Sequence, residues 1–319
     1  MKTTIQALLV MMAFAFFSCN KQNGLDSSTT TTDLSKAQLK SATIAVNDVA
    51  VEGVSEEANY EAEFYSGYEH LLRDLAHFKG RKGDLLAEHA PMHYANGKIP
   101  VVSIDTTATV YPITITIDYG TSTETNHGRL INGKVIIVIS GAKDTDGSTS
   151  TISYIGCKID SIGIEGHCVE IFNGDNVTTR KTTTISEVKF TLANGTVIDR
   201  NGNEVHEWLK GVNTPNDRND DMIQITGSID VKSSTGDTYS RTITKPLIQL
   251  GDCRDHVQGT VQYSQNNVVI AQLDYGDGTC DTLANLTTNG ATVEIQLKGF
   301  MPKAMTEGQH KGMPHGKGK

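Results

Sequence analysis

From Pro100 to Phe300 the chain alternates apolar and polar residues in one segment after another, and nothing else in it constrains the fold as much. The pattern runs through "TVYPITITIDYG", "GKVIIVIS", "STISYIGCKI", "ISEVKFTLANGTVI", "MIQITGSIDVKS", "TYSRTITKPLIQL", "GTVQYSQNNVVIAQLDYG" and "ATVEIQLKGF". Strict alternation sends successive side chains to opposite faces, so each segment is expected to be a strand with one face to bury. Between the segments stand the turn signals "DGS", "NGD", "ANG", "RNGN", "STGD" and "TNG", which join neighbouring strands through tight loops. Short connections make antiparallel pairs, and the missing strand–helix–strand rhythm argues against a parallel α/β sheet. The expected class is mainly β: an antiparallel meander or sandwich-like domain over residues 96–300, built as two packed sheets or as one long sheet covered by helices. Abundant Thr, Ile and Val, with aromatics at only 6%, agree with it.

A helical segment is expected over 46–95. Ser55 suits an N-cap, Glu56 and Glu57 suit the first turn, and Gly80 suits the stop. Tyr60, Phe64, Tyr68, Leu71, Leu72, Leu75 and Phe78 fall on one side at helical steps. A second short helix, "DLLAEHA", would end before Pro91.

The N-terminus reads as an export signal. Lys2 precedes an apolar run from Ile5 to Phe17, shorter than the roughly 20 residues that a membrane-spanning helix requires but suited to a signal peptide over 1–18. The run closes in "FFSC", which resembles the lipobox of bacterial lipoproteins, with Phe16 and Phe17 in place of the commoner residues. The resemblance implies that Cys19 becomes the lipidated first residue of the mature chain. Residues 19–45 would then be a lipidated cysteine and flexible tether, with "SSTTTTD" as spacer. Each acyl CH2 buried adds about 0.8 kcal/mol, so two chains would hold the protein on a membrane without spanning it. The expected location is the outer membrane, on its periplasmic face or at the cell surface. Residues 301–319 read as a disordered basic tail.

Setting Cys19 aside, four of the five cysteines remain, as an oxidising compartment favours. Four cysteines allow three pairings, and Cys157–Cys168 with Cys253–Cys280 closes the shortest loops. No C-x-x-C pair suggests structural zinc. The net charge of −9 offers no basic stripe for nucleic acid.

Asp-Tyr-Gly occurs twice, at 118–120 and 274–276, each time closing an alternating strand and each time followed by a loop, an Asn-Gly and another strand. A duplicated hairpin-like unit is expected. Together with Cys19, "TITIDYG" at 114–120, "NGKVII" at 132–137, "EWLKG" at 207–211 and "LDYGDGTCD" at 273–281, the repeat resembles an uncharacterised group of Bacteroidetes envelope lipoproteins. These have a lipobox, a helical N-terminal part and a β-rich remainder. The first copy departs from the group by having Ser122-Thr123 where Gly-Cys is usual. The resemblance implies an anchored, β-rich envelope protein and brings no activity with it.

Candidate sites each have a structural rival. Asp274, Asp277 and Asp281 offer oxygens to calcium, yet with Gly276 and Gly278 they equally make a tight turn. Asp199, Asn201 and Asn203 faintly resemble a calcium loop, but an "RNGN" hairpin turn explains them better. His70, Asp74 and His77 share a helix face with Glu63 and could ligate zinc or another divalent ion, or simply be the solvated face. Met301, Met305, His310, Met313 and His315 are donors that soft copper favours. Trp208, the only tryptophan, is expected to pack, with sugar stacking as its alternative. There is no G-x-S-x-G, P-loop, G-x-G-x-x-G after a strand or H-E-x-x-H, and no catalytic residue is nominated. The function expected is that of a non-enzymatic binding or structural module on the envelope, with an unidentified glycan or protein partner and no cofactor beyond possible calcium. The alternatives are a metal-binding envelope protein (Ca, Zn or Cu) and a glycan-active hydrolase.

Overall fold

The structure, a computed structural model, describes residues 36–67, 69, 99–105, 111–125, 128–142, 145–214, 217–253 and 255–297. One helix, α1 (Lys36–Gly67), precedes thirteen strands. These are β1 (Val101–Ile104), β2 (Ile113–Glu124), β3 (Leu130–Ile139), β4 (Thr149–Ile159), β5 (Ile162–Gly174), β6 (Arg180–Thr191) and β7 (Val197–Lys210). There follow β8 (Met222–Ser233), β9 (Thr238–Leu250), β10 (Gln258–Gln265), β11 (Val268–Asp277), β12 (Leu283–Thr288) and β13 (Ala291–Gln296). Every strand pairs antiparallel with its sequence neighbours, so sequence order is also spatial order. The fold is mainly β as expected, and of the two arrangements expected it is the single antiparallel meander, in one sheet.

The sheet curls around the helix. Laid flat, β2 and β12 would stand roughly 48 Å apart at about 4.8 Å per strand, and a helix is only about 10–12 Å across. Yet α1 packs against β3, β11 and β12, and its side chains bond to β2, β7, β9 and β10. No residue from Ile44 to Ser66 is solvent-exposed. Ala45, Val51, Val54, Ala58 and Ala62 sit in the core with Ile113, Ile115 and Ile117 of β2, Ile137 of β3 and Leu273 of β11. Small residues on α1 let the strands approach closely. Glycine creases make the bend possible. Gly120 of β2 faces Gly133 of β3, and a Cβ on Gly133 would lie 2.3 Å from the Gly156 oxygen of β4. A second crease crosses β7 and β8 at Gly202 and Gly227, each against the other strand's backbone.

Several expectations are corrected. The helix begins at Lys36, inside the expected tether and well before Ser55. It has no single apolar stripe, because it is covered on all sides. The continuation of the expected stripe through Leu71 to Phe78, and "DLLAEHA", lie outside the described residues. "RNGN" is not a turn: β7 runs straight through it, since Gly202 serves the close approach to β8. "GTVQYSQNNVVIAQLDYG" is two strands, turned at Asn266 and Asn267, whose φ of 50° and 63° suit a tight hairpin. β5, interrupted by Gly163, Gly166 and Gly174, was not anticipated. The two Asp-Tyr-Gly stretches share local geometry, but the units around them differ. Asn132-Gly133 lies within β3, whereas Asn289-Gly290 is the β12–β13 turn.

Cys253 and Cys280 form a disulfide. The expected partner pair does not. Cys157 and Cys168 are free and buried, because Cys157 pairs in register with Ile164, four residues short of Cys168. Four residues of strand span about 13 Å, beyond the roughly 7 Å that a disulfide bridges.

Candidate functional site

The lining around α1 is unusual for a protein interior because it is charged. Asp48, Glu52 and Glu56 follow one another at single-turn spacing on α1, so they share a face. Opposite them, alternate residues of β7 point inward, which brings Arg200, Glu204, His206 and Trp208 to the helix side. Arg241 comes from β9, Tyr263 from β10 and Tyr275 from β11. Where the sheet turns its inner face to the acids its cations are arginines, and outward it carries Lys158, Lys189, Lys210 and Lys232, all exposed. A guanidinium is more weakly hydrated and forks between carboxylates, so it suits burial better than an ammonium.

Arg241, only 1% exposed, stands amid three carboxylates. Its Nε is 3.1 Å from Asp48 Oδ2, its Nη2 3.4 Å from Glu52 Oε1 and its Nη1 2.6 Å from Glu204 Oε1. Arg200 donates from Nη2 to Glu52 Oε2 at 2.8 Å. The Tyr263 hydroxyl donates to Asp48 Oδ2 at 3.1 Å. One turn along, His256 Nε2 lies 3.2 Å from Glu56 Oε1, and its ring meets the Tyr275 ring edge-on at 5.2 Å. His256 comes from the β9–β10 connection, where the disulfide from Cys253 ties this segment to the loop after β11. A cavity of about 60 Å³ adjoins the group, lined among others by Glu52, Glu56, Asn59, Arg200, His206 and His256. That is room for a few water molecules.

Glu52, Glu56 and His256 titrate away from their ordinary ranges. Burial alone would raise the Glu52 carboxyl, but Arg241 and Arg200 overcome it and hold Glu52 down to about 2. At Glu56 burial, then Glu52 and Asp255, outweigh Arg129 and Arg241 and push the carboxyl well above the usual carboxylate range. Burial draws His256 down to about 4; Glu52 opposes this, and Arg241 and His206 add to it. Burial thus shifts both Glu56 and His256 toward their uncharged forms, beside a Glu52 that the arginines keep ionised.

Among the described residues, the metal donors that the sequence nominated are not gathered into one group. Asp274 accepts from the Gly276 amide at 3.0 Å and from Thr260 Oγ1. Asp277 caps Thr279, and Asp281 accepts from the Leu283 amide. Each carboxylate serves its own turn. Asp199 lies on the outer side of β7, 3.9 Å from Lys189, and Asn201 and Asn203 are exposed beside it. Glu63 pairs with Arg218. Trp208 packs as expected: it is 7% exposed, donates from Nε1 to Asp221 Oδ2 at 3.1 Å and lies 4.0 Å beneath Arg180. Cys19, His70, Asp74, His77, Met301, Met305, His310, Met313 and His315 lie outside the described residues.

The groups that do converge were missed. Among the described residues, the three donors close enough to share a metal are Glu52, Glu56 and His256. The i, i+4 step of Glu52 and Glu56 is legible once the helix is drawn from Lys36. His256, in "DCRDHVQG", sits in no motif. No protein-family model, curated protein or solved structure matches the chain. The site therefore has to be argued from its own chemistry. Among the described residues no helix is long and apolar enough to cross a membrane.

Proposed function

We propose that this chain is a lipid-anchored protein of the bacterial cell envelope, held at the outer membrane through Cys19, that acts by binding and not by catalysis. The observation that carries the second half is the filled interior. The sheet curls around its own helix, and two cavities beside that helix measure about 60 and 40 Å³, enough for water or an ion. Glycoside hydrolysis needs two carboxylates flanking a bound sugar. Here the inward carboxylates of Asp48, Glu52 and Glu204 are engaged by arginines beneath the strands, which favours a binding module over the hydrolase.

The anchor rests on the N-terminal run and the "FFSC" stretch. The test is metabolic palmitate labelling with membrane fractionation of the wild type and Cys19→Ala. Label and membrane association should both be lost in the variant; a variant that still fractionates with membranes would refute lipid anchoring.

A further inference from the structure

We propose that Glu52, Glu56 and His256 form a binding site for a divalent first-row transition ion, with Zn²⁺ as its representative. One donor atom from each residue lies within 4.8 Å of the others. Two carboxylates one helical turn apart and an imidazole from across the interface make a mixed oxygen–nitrogen set, as zinc and its neighbours accept. Calcium, which requires six to eight oxygens, is poorly served by it. Tetrahedral bonds of about 2.1 Å would hold donors roughly 3.4 Å apart, so rotations moving them by about an ångström complete the set. Glu52 retains a lone pair on each oxygen beyond its arginine bonds.

A second observation points to the ion independently of the acids. His256 is 4% exposed, and neither of its ring nitrogens has a hydrogen-bond partner, although Nε2 stands 3.2 Å from Glu56 Oε1. A buried imidazole left in this state carries a desolvation cost that a metal bond would offset. The charge balance agrees. Asp48, Glu52 and Glu204 face Arg200 and Arg241, so carboxylates outnumber guanidiniums, a balance that a dication suits. The adjoining cavity supplies space for water to fill a fourth position, as at zinc sites with three protein ligands. Bound there, the ion would pin α1 to the β9–β10 connection. The inference rests on the chamber being the binding element and does not depend on the lipid anchor.

The test uses the full chain in detergent, with Zn²⁺ uptake measured by equilibrium dialysis and Co²⁺ as a spectroscopic probe. One ion per chain is expected, with affinity falling by at least about tenfold in Glu56→Gln and in His256→Ala and staying at the wild-type level in a His310→Ala/His315→Ala double variant. Far-ultraviolet circular dichroism checks that the variants fold. Should one not fold, ¹⁵N-histidine spectra of the wild type decide, because Zn²⁺ must shift the His256 ring. Absence of Zn²⁺ and Co²⁺ uptake, wild-type affinity in folded E56Q and H256A, loss of binding in the tail variant, or an unmoved His256 ring would each overturn the proposal. Metal uptake that persists in Cys19→Ala, with palmitate lost, supports both claims separately; uptake with labelling absent in the wild type removes the anchor alone.

Discussion

Arg241 heads the fully buried side chains by size, and its surroundings show why charge is tolerated inside this protein. Asp48, Glu52 and Glu204 divide its guanidinium among them, so desolvation is offset only while all of them remain. Arg241→Met should therefore destabilise the chain by about 3–5 kcal/mol, because it leaves buried carboxylates uncompensated. Urea unfolding measures this, and a loss below about 1 kcal/mol would contradict the account. The free thiols make a second case. Burial pushes Cys157 and Cys168 each up to about 12, well above the ordinary thiol range. The folded state thus keeps a proton that the unfolded chain gives up. Their contribution is complete below pH 9 and is lost as pH rises toward 12, by up to about 4 kcal/mol for each thiol. Tyr119, Tyr154 and Tyr263 are raised for the same reason and add the same trend above their usual range. Stability measured between about pH 8 and 11 should fall steeply, and less steeply in a Cys157→Ala/Cys168→Ala variant. Equal slopes would show that the thiols are not sealed. Neither feature was legible beforehand: inward arginines look like any other strand charge, and an even number of cysteines invited a pairing that the β4–β5 register forbids.

At the level of elements, alternation revealed most of the strands and misjudged their breaks. Asn-Gly is a turn signal only where the chain is free to reverse. At Asn289-Gly290 it is free. At Asn132-Gly133 and Asn201-Gly202 the same dipeptide lies within a paired strand, and the glycine serves a close approach between backbones. This separates two glycines of the first crease. Gly133→Ala would drive a Cβ into the Gly156 carbonyl and the Cys157 backbone, so the strands must part, and a loss above about 2 kcal/mol is expected. Gly120→Ala meets nothing within 4 Å. It bears only the strain of its φ of 62°, worth about 1–2 kcal/mol. Thermal unfolding of the two variants should rank them in that order, and the reverse order would show that the crease is not tightly packed. The Asp-Tyr-Gly repeat also takes its meaning here. In both copies the aspartate accepts from the glycine amide at 2.9 and 3.0 Å; the first copy does not end its strand, since β2 runs on to Glu124, and in both the tyrosine falls on the buried face. Tyr119 then donates to Glu61 Oε2 at 2.7 Å, and Tyr275 packs on His256. A motif that looked like a metal loop is a way of delivering tyrosines to the helix.

For the molecule as a whole, the helix is the core. Most helices in mixed folds lie against one face of a sheet and show one apolar stripe. Here strands from both halves of the meander reach α1, and Asp48 meets Tyr263 across 215 residues of sequence. Because α1 is enclosed, its amides can exchange only when the sheet opens. Hydrogen exchange over Ile44–Ser66 should therefore be as slow as in β5 to β8, at the level of global unfolding. Rapid exchange there, with protected strands, would mean that the helix leaves its channel without unfolding the sheet.

The strands, their antiparallel order and their two faces follow from sequence alone, because alternation and turn chemistry are local, repeating every two residues and at every loop. The enclosed helix and the Glu52–Glu56–His256 group do not. Curvature accumulates over thirteen strands from small twists and glycine creases, none of which has a signature of its own length scale. Only once the sheet has curled around the helix does an unremarkable histidine in a loop stand beside two glutamates some two hundred residues before it.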